Sequence, residues 1–166
     1  MNRDEIRAEL GQPGARDLLR DAPLLRLAYL GDDGTPRVIP IGFVWTGEQL
    51  VICTSTVAPK GRALRERQHA AVTIDTGATP ADARSLLIRG TAAVETVDGI
   101  PPEYLDAAAK TIPPEALAGF EQAVRGMYEQ MVRIAITPEW ARYYDFGAGR
   151  LPPSLQTLAD EATRRG

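Results

Sequence analysis

Residues 37–64, RVIPIGFVWTGEQLVICTSTVAPKGRAL, constrain the fold of this chain more than any other stretch. Arg37, Ile39, Ile41, Phe43 and Trp45 alternate with Val38, Pro40, Gly42 and Val44, the period of a strand with one bulky and one slim face. Proline cannot donate to a sheet ladder and glycine packs nothing, so Pro40 and Gly42 mark a bulge, a sheet edge, or a place where something flat lies against the strand. Thr46-Gly47-Glu48 turns the chain into a second apolar strand over residues 50–54. Thr54, Ser55 and Thr56 follow as three hydroxyls in a row, and Pro59 suits a helix start that carries Lys60 and Arg62. Hydroxyl donors, unpaired N–H groups at a helix start and two fixed cations are what a phosphate ester requires, because the anion gains charge-assisted bonds and a favourable dipole. The same residues also suit a solvated loop with two surface cations.

Around this block the spacing predicts short helices over residues 2–10 and 16–21 and strands over 24–30, 71–74, 85–94 and 132–136. A helix runs from Lys60 to about Gln68, and Pro138 ends the last strand. Leu86, Ile88, Gly90, Ala92 and Val94 share one strand face, where the small residues at 90 and 92 suggest tight curvature. Between residues 101 and 131 the apolar period becomes helical. Leu117, Phe120, Val124, Met127 and Met131 form a stripe that reads as core or subunit contact. Trp140, Tyr143, Tyr144 and Phe146 make an aromatic cluster ahead of Gly147-Ala148-Gly149-Arg150 and a final helix from about Ser154. The expected architecture is α+β and mainly β: a single domain built on a small six-stranded antiparallel split barrel. Its N-terminal helices fall in residues 1–22, the barrel in 23–100 and 132–146, a helical insertion in 101–131, and a tail with a C-terminal helix in 147–166.

Several function classes are disfavoured. A formal charge of −3 without a lysine and arginine block argues against a nucleic-acid surface, and 6% aromatic residues argue against an oligonucleotide-binding barrel. The apolar runs are too short for a bilayer and the start MNRDEIRAEL is charged rather than signal-like, so no membrane partner and a cytoplasmic location are expected. One cysteine and one histidine leave no intramolecular disulfide and no two-histidine metal site. Cys53, inside an apolar strand, reads as a buried thiol, and His69 as a polar junction residue. Asp145-Phe146-Gly147 copies a kinase tripeptide without a nucleotide loop before it, and Gly147-Ala148-Gly149 lacks the third glycine of a dinucleotide fingerprint. Asp32 and Asp33 belong to a turn.

With the strand order, the 37–64 block and the tail YDFGAGRLP at residues 144–152 assembled, residues 15–153 resemble the FMN-binding split-barrel superfamily. That group includes pyridoxamine 5′-phosphate oxidases and actinobacterial deazaflavin-dependent reductases. The resemblance implies that Arg37, Val38, Pro40 and Ile41 run under a flavin ring and that Thr54, Ser55, Lys60 and Arg62 bind its phosphate. Ser85 stands where oxidases place a glutamine on the flavin, while Tyr144 and Arg150, with Trp140 beside them, would wall the substrate side from a partner subunit. Gly42 replaces the oxidases' substrate-phosphate lysine, Pro59 the arginine before the phosphate-binding lysine, and Pro152 a histidine. Each change removes a charge-assisted contact, which disfavours a true pyridoxamine phosphate oxidase. Lys60, Arg62 and Leu64 are arranged as in users of the deazaflavin coenzyme F-420.

The resemblance thus implies a homodimeric oxidoreductase with FMN, or alternatively F-420, at the subunit interface. It would pass hydride to or from a small organic substrate, with no single side chain essential as acid or base. The same pocket would equally serve a cofactor carrier without turnover.

Overall fold

The computed structural model describes residues 1–165; Gly166, the last residue of the expected tail, lies outside the described residues. The chain opens with α1 (Arg3–Leu10) and α2 (Pro13–Asp21), then runs through β1 (Leu24–Leu30), β2 (Pro36–Gly42), β3 (Val44–Trp45) and β4 (Leu50–Ser55). After α3 (Pro59–Glu66) come β5 (His69–Thr76) and β6 (Arg84–Asp98). The insertion holds α4 (Pro102–Ala109) and α5 (Pro114–Met127), and β7 (Gln130–Asp145) leads to α6 (Pro153–Arg165). Among the described residues there are seven strands rather than the expected six, all antiparallel in one sheet of order β2-β1-β5-β6-β7-β4-β3.

The extra strand arises at Phe43, whose fully buried ring turns the chain between β2 and β3. β2 then pairs with β1 at one margin of the sheet, while β3 pairs with β4 at the other. One continuous segment therefore supplies both outermost strands, and the sheet curls until β2 approaches β4. No ladder joins those two strands among the described residues, so the expected barrel is an open curled sheet. Pro40 lies on an edge strand, where its missing N–H does least harm.

Pro138 does not end the last strand. β7 continues through it to Asp145 because the ladder with β6 shifts register between Arg89 and Gly90: Gly90 faces Pro138, Arg89 faces Trp140, and Glu139 is the extra residue. A bulge of this kind tolerates proline and re-aims the side chains beside it. It also requires the glycine, since a Cβ at Gly90 would lie 2.1 Å from the Thr137 carbonyl oxygen.

The main core fills the curl, with Leu25, Leu27, Phe43, Ile52, Leu64, Ile74, Leu86 and Ile134 each almost without exposure. A second cluster of Val51, Cys53, Ile100, Val124, Met131 and Ala135 forms where α4 and α5 cover the outer side of β4 and the first half of β7. The α5 stripe is only partly core, because Val124 is buried while Met127 is 68% exposed. Lys110, just after α4, ties this insertion to the rest. Its Nζ donates to the Ala22 carbonyl at 3.2 Å and lies 3.9 Å from the centroid of the Phe43 ring. Lys110→Ala is expected to lower the unfolding free energy by about 1–2 kcal/mol in urea denaturation, the sum of a hydrogen bond and a partly desolvated cation–π contact.

Candidate functional site

The β4 ladder against β7 stops at Ser55, opposite Met131, and α3 begins four residues later with Pro59. Gly61 lets that first helical turn rest directly on β7, since a Cβ there would come within 3.3 Å of Val132 Cγ1. Ala58 occupies the N-cap and offers no side chain to the free N–H groups of the turn. Lys60 is half-buried beside it, and burial lowers its pKa below the ordinary value. Among the described residues its ammonium makes no hydrogen bond or ion pair, and the hydroxyls of Thr54, Ser55 and Thr56 are free as well. A desolvated cation beside unpaired N–H and O–H donors is unfavourable until an anion arrives. This donor set fits a phosphate.

Arg62 behaves differently from its expected role. Its guanidinium is paired with Asp32 in the β1–β2 turn, and that hydrogen bond raises its pKa. Arg67 donates to the Gly31 carbonyl in the same turn at 3.4 Å. Arg37 is likewise held by Asp33 at 2.7 Å. Of the basic side chains expected near a ligand, Lys60 alone is unpaired among the described residues; the two arginines splint α3 and β2 to one turn.

The two faces of the expected ring strand are as the alternation implied. Ile39 and Ile41 pack on the core, and Val38 and Pro40 are exposed on the outer face of the sheet. Ile41 therefore offers a ligand on that face only its backbone. Gly42 is not open, because a Cβ there would meet Ala107 of α4 at 3.6 Å; the slim position accommodates the chain's own helix. Across the outer face the ladders align Val38, Ala28, Ala71, Arg89 and Trp140 in one row, and Pro40, Arg26, Thr73, Leu87 and Arg142 in the next. Ser85 faces Tyr144 in a further row.

The expected site residues thus fall into two groups. Lys60 and its hydroxyls belong with the end of β6 that carries Thr96, which Arg65 of α3 reaches at 2.6 Å. Ser85 and Tyr144 mark the opposite end, roughly 35 Å away along an extended strand. Within one chain the two groups do not meet.

Arg150 has a partner that the sequence does not advertise. Beyond Ile136, β7 has no strand on its outer side, and Glu9 of α1 covers that margin. The carboxylate is 7% exposed and accepts the Tyr143 N–H at 2.8 Å, Arg142 at 2.9 Å and Arg150 at 2.7 Å. Burial pushes the Glu9 pKa up, but these donors together hold it below the ordinary value. Arg150 also donates to the Tyr143 carbonyl at 2.7 Å, which fixes the tail to its own strand. Cys53 is inert, its thiol pushed up to about 12 by burial and then by Glu103.

The profile of the pyridoxamine 5′-phosphate oxidase family matches residues 12–145. No curated protein matches the chain. Among solved structures, an F-420 reductase shares 26% identity over 78% of this chain and 97% of its own, with a TM-score of 0.58. A conserved hypothetical protein of Mycobacterium tuberculosis shares 20% identity over 92% and 89% of the two chains, with a TM-score of 0.63. The heme storage protein of Vibrio cholerae shares 16% identity over 81% and 93%, with a TM-score of 0.57. At their identities the last two likenesses show a common fold.

Proposed function

The chain belongs to the pyridoxamine 5′-phosphate oxidase family of the FMN-binding split-barrel superfamily, and from that premise we propose that it is a flavin- or deazaflavin-dependent oxidoreductase acting on a small organic substrate. The observation that carries this reading is the half-buried, unpaired Lys60 at an uncapped helix start beside three free hydroxyls. Lys60, Thr54, Ser55 and the N–H groups of the first α3 turn would hold the cofactor phosphate, and Arg62 would join them only by leaving Asp32. The ring would lie along the exposed side of β2, against Val38, Pro40 and the backbone of Ile41. A bound flavin or deazaflavin supplies the hydride chemistry. The chain's own residues bind it, orient it and exclude water.

Because Ser85 and Tyr144 lie at the far end of the sheet, completion of the site calls for a second copy that brings its own Ser85, Tyr144 and Trp140 against Lys60. This supports a homodimer with the cofactor between subunits. Arg150, engaged by Glu9 and Tyr143, serves in this reading to position the tail, and Arg37 to position β2. FMN and the longer F-420 both present a phosphate to Lys60. The F-420 reductase among the similar structures and the Lys60–Arg62–Leu64 arrangement favour the deazaflavin.

A carrier without turnover is the second reading. It is supported by the lack of any carboxylate, imidazole or thiol among the residues assigned to the site, and by a heme storage protein among the structural relatives.

Titration of the purified chain with FMN and with F-420, followed by absorbance, tests the cofactor. Lys60→Ala is expected to weaken the preferred one by about 1–3 kcal/mol. Unchanged affinity in that variant removes the phosphate assignment, and uptake of neither coenzyme removes the whole reading. Oxidation of the reduced complex by added acceptors separates the enzyme from the carrier.

A further inference from the structure

The β6–β7 bulge builds something that the cofactor reading does not use. Arg89 Cζ is 3.9 Å from the centroid of the Trp140 ring, and among the described residues its guanidinium makes no hydrogen bond or ion pair. A guanidinium stacked on an indole is held in place while its N–H donors remain free at its edge. In the same cross-strand row the next two residues are Ala71 and Ala28, whose small side chains leave a dent in the outer face. That dent has a volume of about 430 Å³ and an apolar floor of Ala28, Leu30, Pro36 and Ala71, with His69 and Arg89 on its rim. Glu139, the extra residue of the bulge, also borders it, but its carboxylate accepts the Thr91 hydroxyl at 2.6 Å.

We propose that this dent is a binding site for a compact apolar carboxylate, whose hydrocarbon body covers the two alanines and whose anion is taken by Arg89. The chemistry follows from the parts. An apolar floor gains by losing water, and a pre-oriented, unpaired guanidinium matches the two oxygens of a carboxylate with parallel hydrogen bonds. Gly90 makes the site possible, since only there can the strands cross closely enough to turn Arg89 onto Trp140. The site does not depend on the phosphate assignment at Lys60, and it is tested with no cofactor added.

Cyclohexanecarboxylate and its neutral analogue cyclohexanecarboxamide are the probes, followed by calorimetry and by tryptophan emission of the full chain. The carboxylate is expected to bind saturably and to change the emission, with the amide and the Arg89→Gln variant each at least about tenfold weaker. Ala71→Leu, which fills the dent and leaves Arg89 in place, is expected to abolish binding. Equal affinity for acid and amide, undiminished binding in Arg89→Gln, or no binding of the acid overturns the proposal. So does an emission change that follows protein concentration instead of ligand, which would mean that a second copy covers the dent.

Discussion

Glu9→Ala is expected to lower the unfolding free energy by about 3 kcal/mol and the Tm by about 6–12 °C. The carboxylate is buried and is the common acceptor for Arg142, Arg150 and the Tyr143 N–H. Removing it leaves a strand N–H without a partner at the uncovered margin of β7 and two guanidinium groups without a counter-charge. Arg142 and Arg150 are partly exposed and recover some solvation, which keeps the loss below that of a fully interior pair. Acid gives an independent check. The folded pKa of Glu9 lies below the ordinary 4.5, so its contribution is fully present above that value and is lost as pH falls through the lowered folded pKa. Urea midpoints measured from pH 7 downward should therefore converge for wild type and variant at the acid end. A constant gap across that range would show that Glu9 acts by packing alone.

Gly90→Ala is expected to cost about 3 kcal/mol, with a change in Trp140 emission that the Glu9 variant does not share. The added methyl would stand 2.1 Å from a backbone oxygen, and neither strand can yield without breaking the register that sets Arg89 opposite Trp140. Chemical denaturation measures the loss. A variant of wild-type stability would mean that the strands do not cross as described. Coupling the substitution to Arg89→Gln separates the two effects: the emission change should vanish in the double variant while the stability loss persists.

Local chemistry made the region of residues 37–64 legible from sequence: the two-faced strand, the hydroxyl loop and the helix start all follow from neighbours within a few positions. The strand count was misjudged because Phe43 looks like one more bulky residue in an alternating run, and only the curled sheet makes it a corner. Pro138 reads as a terminator for the same reason, since its tolerance comes from a bulge formed with a residue nearly fifty positions earlier. Lys60 retains its expected freedom, whereas Arg37, Arg62 and Arg150 are taken by Asp33, Asp32 and Glu9. Asp32 and Asp33 were visible as turn residues, so those two pairings had a signal. Glu9 had none, because a carboxylate in a short charged helix looks exposed until its distant partners are known. Arg89 had a faint one, as a cation interrupting an apolar run just before a glycine.

The distance in sequence between Glu9 and its partners matters during translation. A nascent chain that has not yet exposed residues 142–150 would have to enclose a naked carboxylate, so its helical start has reason to stay loose on the ribosome. Stalled chains ending near residue 130 should be cleaved readily by protease around α1, and released full-length chains should resist. The last residues made are in this sense the latch for the first.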